Sequence, residues 1–299
     1  MNKTKEPYWV ENQPNVPRVW SASSLSTILA CPRRFELRYI EGWEKAESAA
    51  LAFGKEFHRV LEACDLAAET GASPEETRRV AVRESLKAFL PPGDNSRTNF
   101  TLLRATLFYL DHYKDDPYKI IQVNDKPAIE LYFRFALDLT NADGENYYIQ
   151  GYMDEFRDLS GDLFVWERKT TAKSLSDYYF NQFDPNIQMG IYTVGAQILA
   201  HKSFAGVVLD VTQTLVGSTN FTRRWIKLSE EQLDETLENA LSAIRLAERC
   251  AQANYWPQNT SACGICDFKD VCNKQPKVRH QWLKSGFLEN RRETTEQRK

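Results

Sequence analysis

Two carboxylates and a lysine are spaced in a way that could serve the hydrolysis of phosphodiesters. Asp154 is followed, thirteen residues later, by Glu167, Arg168 and Lys169. If both segments are strands of one antiparallel hairpin, Asp154 and Glu167 can lie side by side, and Glu167 and Lys169 point to the same face. Two carboxylates favour a hard cation such as Mg²⁺ or Mn²⁺, which can polarise a phosphodiester and activate water. The lysine could orient that water or stabilise the charge that develops.

Other polar residues could join this set. His58 lies on a predicted helix that follows Gly54, and Gln188 and Tyr192 are four residues apart on another predicted helix, where they share one face. Taken singly, each of these residues has an ordinary structural interpretation. The remaining histidines are interpreted as structural or solvated; they are His112, His201 and His280.

Four of the six cysteines are arranged as metal or cluster ligands would be. They are Cys31 near the start of the chain and Cys263, Cys266 and Cys272 near its end. The last three form a C-x2-C-x5-C pattern that is one thiolate short of a four-cysteine site. Four thiolates suit either tetrahedral Zn²⁺ or an iron–sulfur cluster, and zinc sites usually draw their ligands as two close pairs. Cys64 and Cys250 lie in apolar helical settings and are predicted to be buried small hydrophobic residues.

In chain order, these motifs resemble those of the PD-(D/E)XK nuclease superfamily. The motifs are His58, Gly151-x-x-Asp154, Glu167-x-Lys169 and Gln188-x3-Tyr192. With the split cysteines, and with Pro-Arg-Arg-Phe after Cys31, the chain resembles the iron–sulfur members of the RecB-type branch. Those members include the CRISPR-associated RecB-like exonucleases, the AddB-type nuclease domains and the exonuclease V family. The resemblance covers roughly residues 20–60, 128–200 and 255–275, and Met153 stands where the superfamily's name has proline.

The resemblance implies a role for each site residue. The catalytic metal, Mg²⁺ or Mn²⁺, would be bound by His58, Asp154, Glu167 and the backbone carbonyl of Arg168. Lys169 would be the catalytic lysine, and Gln188 and Tyr192 would contact the nucleic-acid strand or position that lysine. Glu130 would be an acid outside the direct ligands. A structural [4Fe–4S] cluster, with zinc as the alternative, would be bound by Cys31, Cys263, Cys266 and Cys272, which would join the two ends of the fold.

The function implied is a metal-dependent DNA nuclease, specifically an exonuclease that acts on single-stranded DNA or DNA ends. One alternative is a non-catalytic DNA-binding or assembly subunit with the same fold. Another is a redox or radical iron–sulfur enzyme, although the C-x3-C-x2-C spacing typical of radical enzymes that use S-adenosylmethionine is absent from the sequence. CRISPR adaptation, recombinational repair and phage genome processing all remain open as pathways.

Composition is consistent with an intracellular globular protein. The chain has 299 residues, 42% of them hydrophobic, with a net charge of −3. No apolar run is long enough to span a membrane, and the start lacks an apolar signal region, so we expect a cytoplasmic location. Six cysteines in such a chain favour metal or cluster binding over disulfides. Basic residues that could hold DNA phosphates cluster after Cys31, as Arg33, Arg34 and Arg38, and in the tail.

The elements that must position these residues can be predicted from periodicity and caps. The helices are expected at about 23–41, 51–68, 73–90, 99–113, 185–199 and 229–255, the third and the last opening on capping boxes. The strands are expected at 119–123, 128–137, 147–157, 162–169, 207–214 and 222–228. This order predicts an α/β protein with a restriction-endonuclease-like mixed sheet, a crossover helix, a helical N-terminal elaboration and a C-terminal iron–sulfur segment. We expect an irregular lead-in (1–20), one nuclease domain (21–275, with a helical insert at about 70–115) and a basic tail (276–299).

Overall fold

The computed structural model describes residues 9–10 and 13–289. The strands are β1 (Trp9–Val10), β2 (Gln13–Pro17), β3 (Val19–Trp20), β4 (Trp43–Glu44), β5 (Lys119–Ile120), β6 (Gln122–Val123), β7 (Lys126–Pro127), β8 (Ile129–Thr140), β9 (Asn146–Leu159), β10 (Asp162–Thr171), β11 (Gly206–Thr214), β12 (Thr219–Lys227) and β13 (Leu288–Glu289). The helices are α1 (Ala22–Ala30), α2 (Pro32–Phe35), α3 (Ala49–Glu69), α4 (Pro74–Lys87), α5 (Asn99–His112), α6 (Asp177–Phe180), α7 (Ile187–Ala200), α8 (Glu230–Gln252), α9 (Lys269–Cys272) and α10 (Pro276–Gly286). A π-helix (Glu36–Ile40) and a 3₁₀-helix (Thr260–Ile265) complete them.

A mixed sheet forms the centre of the fold. Among the described residues seven strands belong to it, in the order β12-β11-β10-β9-β3, with β5 and β8 also paired to β9. Strand β10 runs parallel to β11 and antiparallel to β9, and β11 runs antiparallel to β12. Helix α7 lies in the connection between the parallel strands β10 and β11. The predicted mixed sheet with a crossover helix is therefore confirmed.

The chain divides into two compact units. One contains the described residues up to Ala46, together with Arg134–Gly151 and the residues from Asp234 onward. The other contains Glu47–Phe133 and Tyr152–Leu233. The second unit includes β10, β11 and β12 and the helices α3 to α7.

The core of the second unit follows from two sequence patterns. Strand β11 is a continuous apolar run around Val207–Leu209, and it is buried because a central strand is covered on both faces. Helices α3, α4 and α5 bury one apolar side each, and these sides form a cluster around Phe57, Leu61 and Leu102. The capping box predicted at Ser73 opens α4, with Pro74 at the first helical position.

The predicted helix at 23–41 is three shorter segments. Its first helix, α1, ends at Cys31, whose backbone is extended at φ −164° and ψ 112°. The cause is Pro32, since the ring of a proline pushes the preceding residue out of the helical region. The chain then resumes as α2 and the π-helix. The interruption leaves Cys31 outside any helix, with its side chain buried.

Other boundaries also differ from the predictions. The lead-in (1–20) is not wholly irregular, since β2 and β3 lie within it. The strand expected at 119–123 is split into β5 and β6. The basic tail (276–299) begins with α10 and β13, and residues 290–299 lie outside the described part. No helix in the described part of the chain is long and apolar enough to cross a membrane.

Gly206 offers a test of the packing at the start of β11. Its φ is +135°, and a Cβ added there would lie 2.0 Å from the backbone oxygen of Ile226 on β12. We expect Gly206→Ala to lower the free energy of unfolding by about 2–3 kcal/mol, because neither strand can move without breaking the ladder. Gly217→Ala is the control, since a Cβ there would meet nothing within 4 Å. Equal stability of the two variants by denaturant titration would contradict the tight strand approach.

Candidate active site

The hairpin of β9 and β10 brings Asp154 and Glu167 to the same place. Its turn is Ser160–Gly161, where both residues have positive φ, as a tight two-residue hairpin requires. The paired residues run from Asp162 opposite Leu159 to Trp166 opposite Glu155. Asp154 and Glu167 come directly after the last of these pairs. The backbone N–H of Arg168 donates to Oδ2 of Asp154 at 2.7 Å, which fixes the Asp154 carboxylate against β10.

Lys169 completes the arrangement expected from the Glu-x-Lys spacing. It lies two residues beyond Glu167 on β10, and its Nζ donates to Oε1 of Glu167. Burial lowers the pKa of Lys169, but the charge and hydrogen bond of Glu167, together with the charge of Asp154, outweigh burial, so the net shift is upward. Burial raises the pKa of Glu167, and the neighbouring charge of Asp154 adds to that rise against the opposing effect of Lys169. The ammonium of Lys169 therefore balances a carboxylate that is removed from water.

His58 reaches the same spot from α3. Ser48 caps the start of this helix, and a buried stripe that includes Phe57 and Leu61 holds its apolar side in the core. The ring Nδ1 of His58 lies 3.1 Å from Oδ1 of Asp154. Burial lowers the pKa of His58, but the charge and hydrogen bond of Asp154 outweigh burial and raise it. For Asp154 burial opposes ionisation, yet His58 and the Arg168 N–H bring its pKa down to about 2.

Gln188 and Tyr192 approach from α7. Asn186 caps this helix by accepting a hydrogen bond from the backbone N–H of Gln188 at 2.8 Å. The side-chain Nε2 of Gln188 donates to Oε1 of Glu167 at 3.2 Å. Burial, then the negative charge of Glu167, raises the pKa of Tyr192, so its hydroxyl stays protonated. The structure thus brings Gln188 and Tyr192 to the carboxylates.

Two further carboxylates lie beside these residues. Glu130 lies on β8, which pairs with β9, and the backbone N–H of Phe156 on β9 donates to the oxygen of Ala128 at 3.0 Å. Glu130 has a positive φ of 50°. Burial, with Asp154 and then Glu62 adding to it, raises the pKa of Glu130 to about 7. Glu62 was missed in the sequence, although its position one helical turn after His58 would have marked the same face of α3.

The chemistry of these donors fits a hard divalent cation. Two carboxylates from adjacent strands and an imidazole converge, and carboxylate oxygens are what Mg²⁺ and Mn²⁺ prefer. Within residues 9–10 and 13–289, however, no group of three or more His, Cys, Asp or Glu side chains is already arranged to hold a metal ion. The carboxylate oxygens have partners within the protein: Lys169 at Glu167, and His58 and the Arg168 N–H at Asp154.

A buried ionic network lies on the opposite face of β10. The guanidinium of Arg168 contacts Oδ2 of Asp65 on α3 at 2.8 Å and Oε1 of Glu155 on β9 at 2.6 Å. Glu155 also accepts from Nε of Arg157 at 2.6 Å. Further members extend the network across the sheet; they are Asp116, Asp210 and Arg223. Sequence reasoning missed this network, because buried charged residues look like surface residues in a sequence.

The four candidate cluster cysteines gather around one segment of the first unit. The backbone N–H of Asn259 lies 3.4 Å from Sγ of Cys31, and the oxygen of Asn259 lies 3.8 Å from Sγ of Cys263. Cys266 and Cys272 pack against a small apolar cluster that includes Phe268. Burial raises the pKa of Cys272, and nearby Cys266 and Cys31 add to that rise. The thiols share a neighbourhood without forming a ready metal site in the described chain.

The two cysteines outside this set are both buried. Cys64 on α3 is 0% exposed and Cys250 on α8 is 4% exposed. Burial raises the pKa of Cys64 to about 12, so its thiol stays protonated and unreactive. The prediction that both are buried hydrophobic residues is confirmed.

Glu155 tests how strongly the ionic network holds the site strands. Glu155→Gln keeps the shape of the side chain but removes one of the two carboxylates that each of Arg157 and Arg168 contacts. We expect a loss of about 3–5 kcal/mol in the free energy of unfolding, as for other broken buried ion pairs. The matched control is Glu75→Gln, which removes an exposed pair with Arg79 at 3.4 Å and should cost less than about 0.5 kcal/mol. Similar denaturation midpoints for both variants would show that the network does not anchor β10.

Comparison with known proteins gives the family of the chain. The structure resembles that of a proposed exonuclease from Eubacterium rectale, with 14% identity and a TM-score of 0.51 over 92% of this chain and 94% of that one. A second solved structure, that of SSO0001, matches with 15% identity and a TM-score of 0.36 over 86% of both chains. No protein of curated function matches the sequence. The family model of the PD-(D/E)XK nuclease superfamily matches residues 19–273, almost the whole span between the two terminal segments, and the chain belongs to that superfamily.

Proposed function

We propose that the protein is a metal-dependent deoxyribonuclease. The observation that carries the proposal is the convergence of Asp154 and Glu167 with Lys169 and His58, in a chain of the PD-(D/E)XK nuclease superfamily. A bound Mg²⁺ or Mn²⁺ would supply a Lewis acid for the phosphodiester and an acidified water. His58, Asp154, Glu167 and the backbone carbonyl of Arg168 would hold it.

Lys169 contributes positive charge and hydrogen bonds to the reaction. Burial lowers the pKa of Lys169, but the charge and hydrogen bond of Glu167 and the charge of Asp154 raise it overall, which favours the protonated amine. A fixed ammonium beside the reacting phosphate stabilises the charge that grows on phosphorus oxygens in the transition state. Gln188 keeps the Glu167 carboxylate in place through its amide, and Tyr192 would contact the nucleic-acid strand or position Lys169.

The proposed substrate is DNA, taken as a single strand or at an end. This extends the family assignment by the resemblance of the motifs to the RecB-type exonucleases, and the fold is shared with a protein described as a proposed exonuclease. The acidic site itself would repel phosphates. Cations and basic side chains are therefore required for binding, and we expect the affinity to fall as salt rises.

We also propose that the chain is an iron–sulfur member of the RecB-type branch. Support comes from the spacing of the cysteines and from the closeness of Cys31, Cys263 and Cys272 around residue 259. A [4Fe–4S] cluster, or Zn²⁺ as the alternative, would join the residue that ends α1 to the segment near α9. Its role would be structural, because hydrolysis transfers no electrons.

Cleavage of labelled DNA tests the active site. We expect Asp154→Ala and Lys169→Ala to lower the rate in Mn²⁺ by roughly 100-fold or more, since the first removes a proposed metal ligand and the second removes the ammonium at the reacting phosphate. Lys173→Ala is the matched control, because Lys173 is an exposed lysine just beyond the end of β10.

The outcomes separate the proposals. Activity that survives both Asp154→Ala and Lys169→Ala would reject the site. Binding of DNA without cleavage by the unaltered chain, across several divalent metals, would instead favour a non-catalytic DNA-binding or assembly subunit. End-blocked substrates of each polarity would distinguish exonuclease from endonuclease action.

Cys31 tests the cluster independently of catalysis. We expect Cys31→Ala to give colourless, aggregation-prone protein with less bound iron and a lower melting temperature, because a cluster ligand that joins distant segments is lost. Cys250→Ala, which alters a buried cysteine outside the set, should keep both colour and iron. Metal analysis of the unaltered protein decides between iron and zinc, and normal metal content in Cys31→Ala would rule out the ligand assignment.

A further inference from the structure

Beyond the metal-binding residues, we propose that Tyr132 and Tyr152 form a platform on which an unpaired base of the DNA strand stacks beside the active site. The proposal rests on the proposed function, since it concerns the same substrate. It names two residues that the motifs do not include and a specific part of the ligand, the face of a nucleobase.

The position of the two rings follows from the strands. Tyr152 is two residues before Asp154 on β9, so both side chains leave the same face. Tyr132 is two residues after Glu130 on β8, which pairs with β9, and its ring contacts that of Tyr152. The ring centroids lie 5.2 Å apart with 51° between the planes. Two residues of strand measure about 7 Å, so the pair adjoins the carboxylates.

The exposure of the rings is unusual for their place in the fold. Tyr132 is 38% exposed and Tyr152 is 42% exposed, whereas the neighbouring rings Phe133 and Phe156 are 3% and 0% exposed. A cross-strand aromatic pair stabilises a sheet whether or not it faces solvent. Its role in the sheet therefore does not explain why this apolar surface is open beside a site for DNA.

Stacking would supply what charge cannot supply here. Glu62, Glu130, Asp154 and Glu167 make this region acidic, so close to the site the phosphates of a strand gain only from the bound cation and Lys169. Tyrosine rings offer an apolar face, and every base offers a face to stack on. Bases inside a duplex already stack on their neighbours, so a ring platform on the surface favours a single strand or a frayed end.

Binding to the Lys169→Ala chain tests the platform without cleavage. We expect Tyr152→Leu in that chain to weaken the binding of a short labelled single strand in Mn²⁺ by about 5- to 100-fold, as for other base-stacking rings. Tyr152→Phe keeps the ring and should stay within about twofold. Phe89→Leu is the control, because Phe89 lies just beyond the end of α4 and its side chain is 84% exposed. Tyr132→Leu repeats the test if Tyr152→Leu does not fold.

An abasic nucleotide, moved along the strand, identifies stacking as the cause. At one position in the strand, the abasic nucleotide should weaken binding to the Lys169→Ala protein that retains Tyr152. The same abasic strand should lose no further affinity for the protein that also carries Tyr152→Leu. Unchanged affinity in both leucine variants, or equal losses for single strands and blunt duplexes, would overturn the platform. If the protein shows the stacking pattern but never cleaves DNA, the proposed nuclease activity is wrong and the stacking platform is supported. Failure of the proposed function can therefore be distinguished from failure of the platform.

Discussion

The guanidinium of Arg168 ties together the three elements that build the site. It is 2% exposed and is held by Asp65 of α3 and Glu155 of β9, while its own backbone N–H holds Asp154. Burying these charges is costly in itself, and they persist because each has an oppositely charged partner. These ion pairs fix the orientation of the strand. When the buried face of β10 is held in place, the side chains on its other face also have a fixed direction. The carboxylate of Asp154 and the ring of His58 are held against β10 by this arrangement.

Side chains alternate between the two faces of β10, so consecutive residues of this strand can serve the candidate site and the buried ionic network. Glu167 and Lys169 point to the face covered by α7, and Arg168 points to the face covered by α3 and α5. On the α7 side, Lys169 neutralises the charge of Glu167 when no cation is bound. A cation held by Asp154 and Glu167 would take over that neutralisation and leave the ammonium of Lys169 to the phosphate. In the proposed function, the lysine would act on the phosphate only once both cation and substrate are in the site.

Sequence reasoning succeeded where the signals are local. The turn at Ser160–Gly161, the capping box at Ser73 and the alternation of β10 each act over a few residues, and they sufficed to predict the hairpin, α4 and the shared face of Glu167 and Lys169. The same holds for the crossover helix α7, whose period is plain in the sequence. Proline also acts locally, and the break at Cys31 could have been predicted from Pro32 alone.

Partners that are distant in sequence could not be predicted in this way. Whether an aspartate such as Asp65 is buried against an arginine depends on how α3 packs on the sheet, and no local period reports that packing. The positive φ of Glu130 is likewise not predicted by any local pattern in the sequence. In the sequence, Tyr132 and Tyr152 look like ordinary strand residues. Only the pairing of β8 with β9 brings their rings together and leaves them open to solvent. The residues of the motif can therefore be predicted from their spacing in the sequence. The residues that support the site or lie beside it can be identified only once the packing of the strands and helices is known.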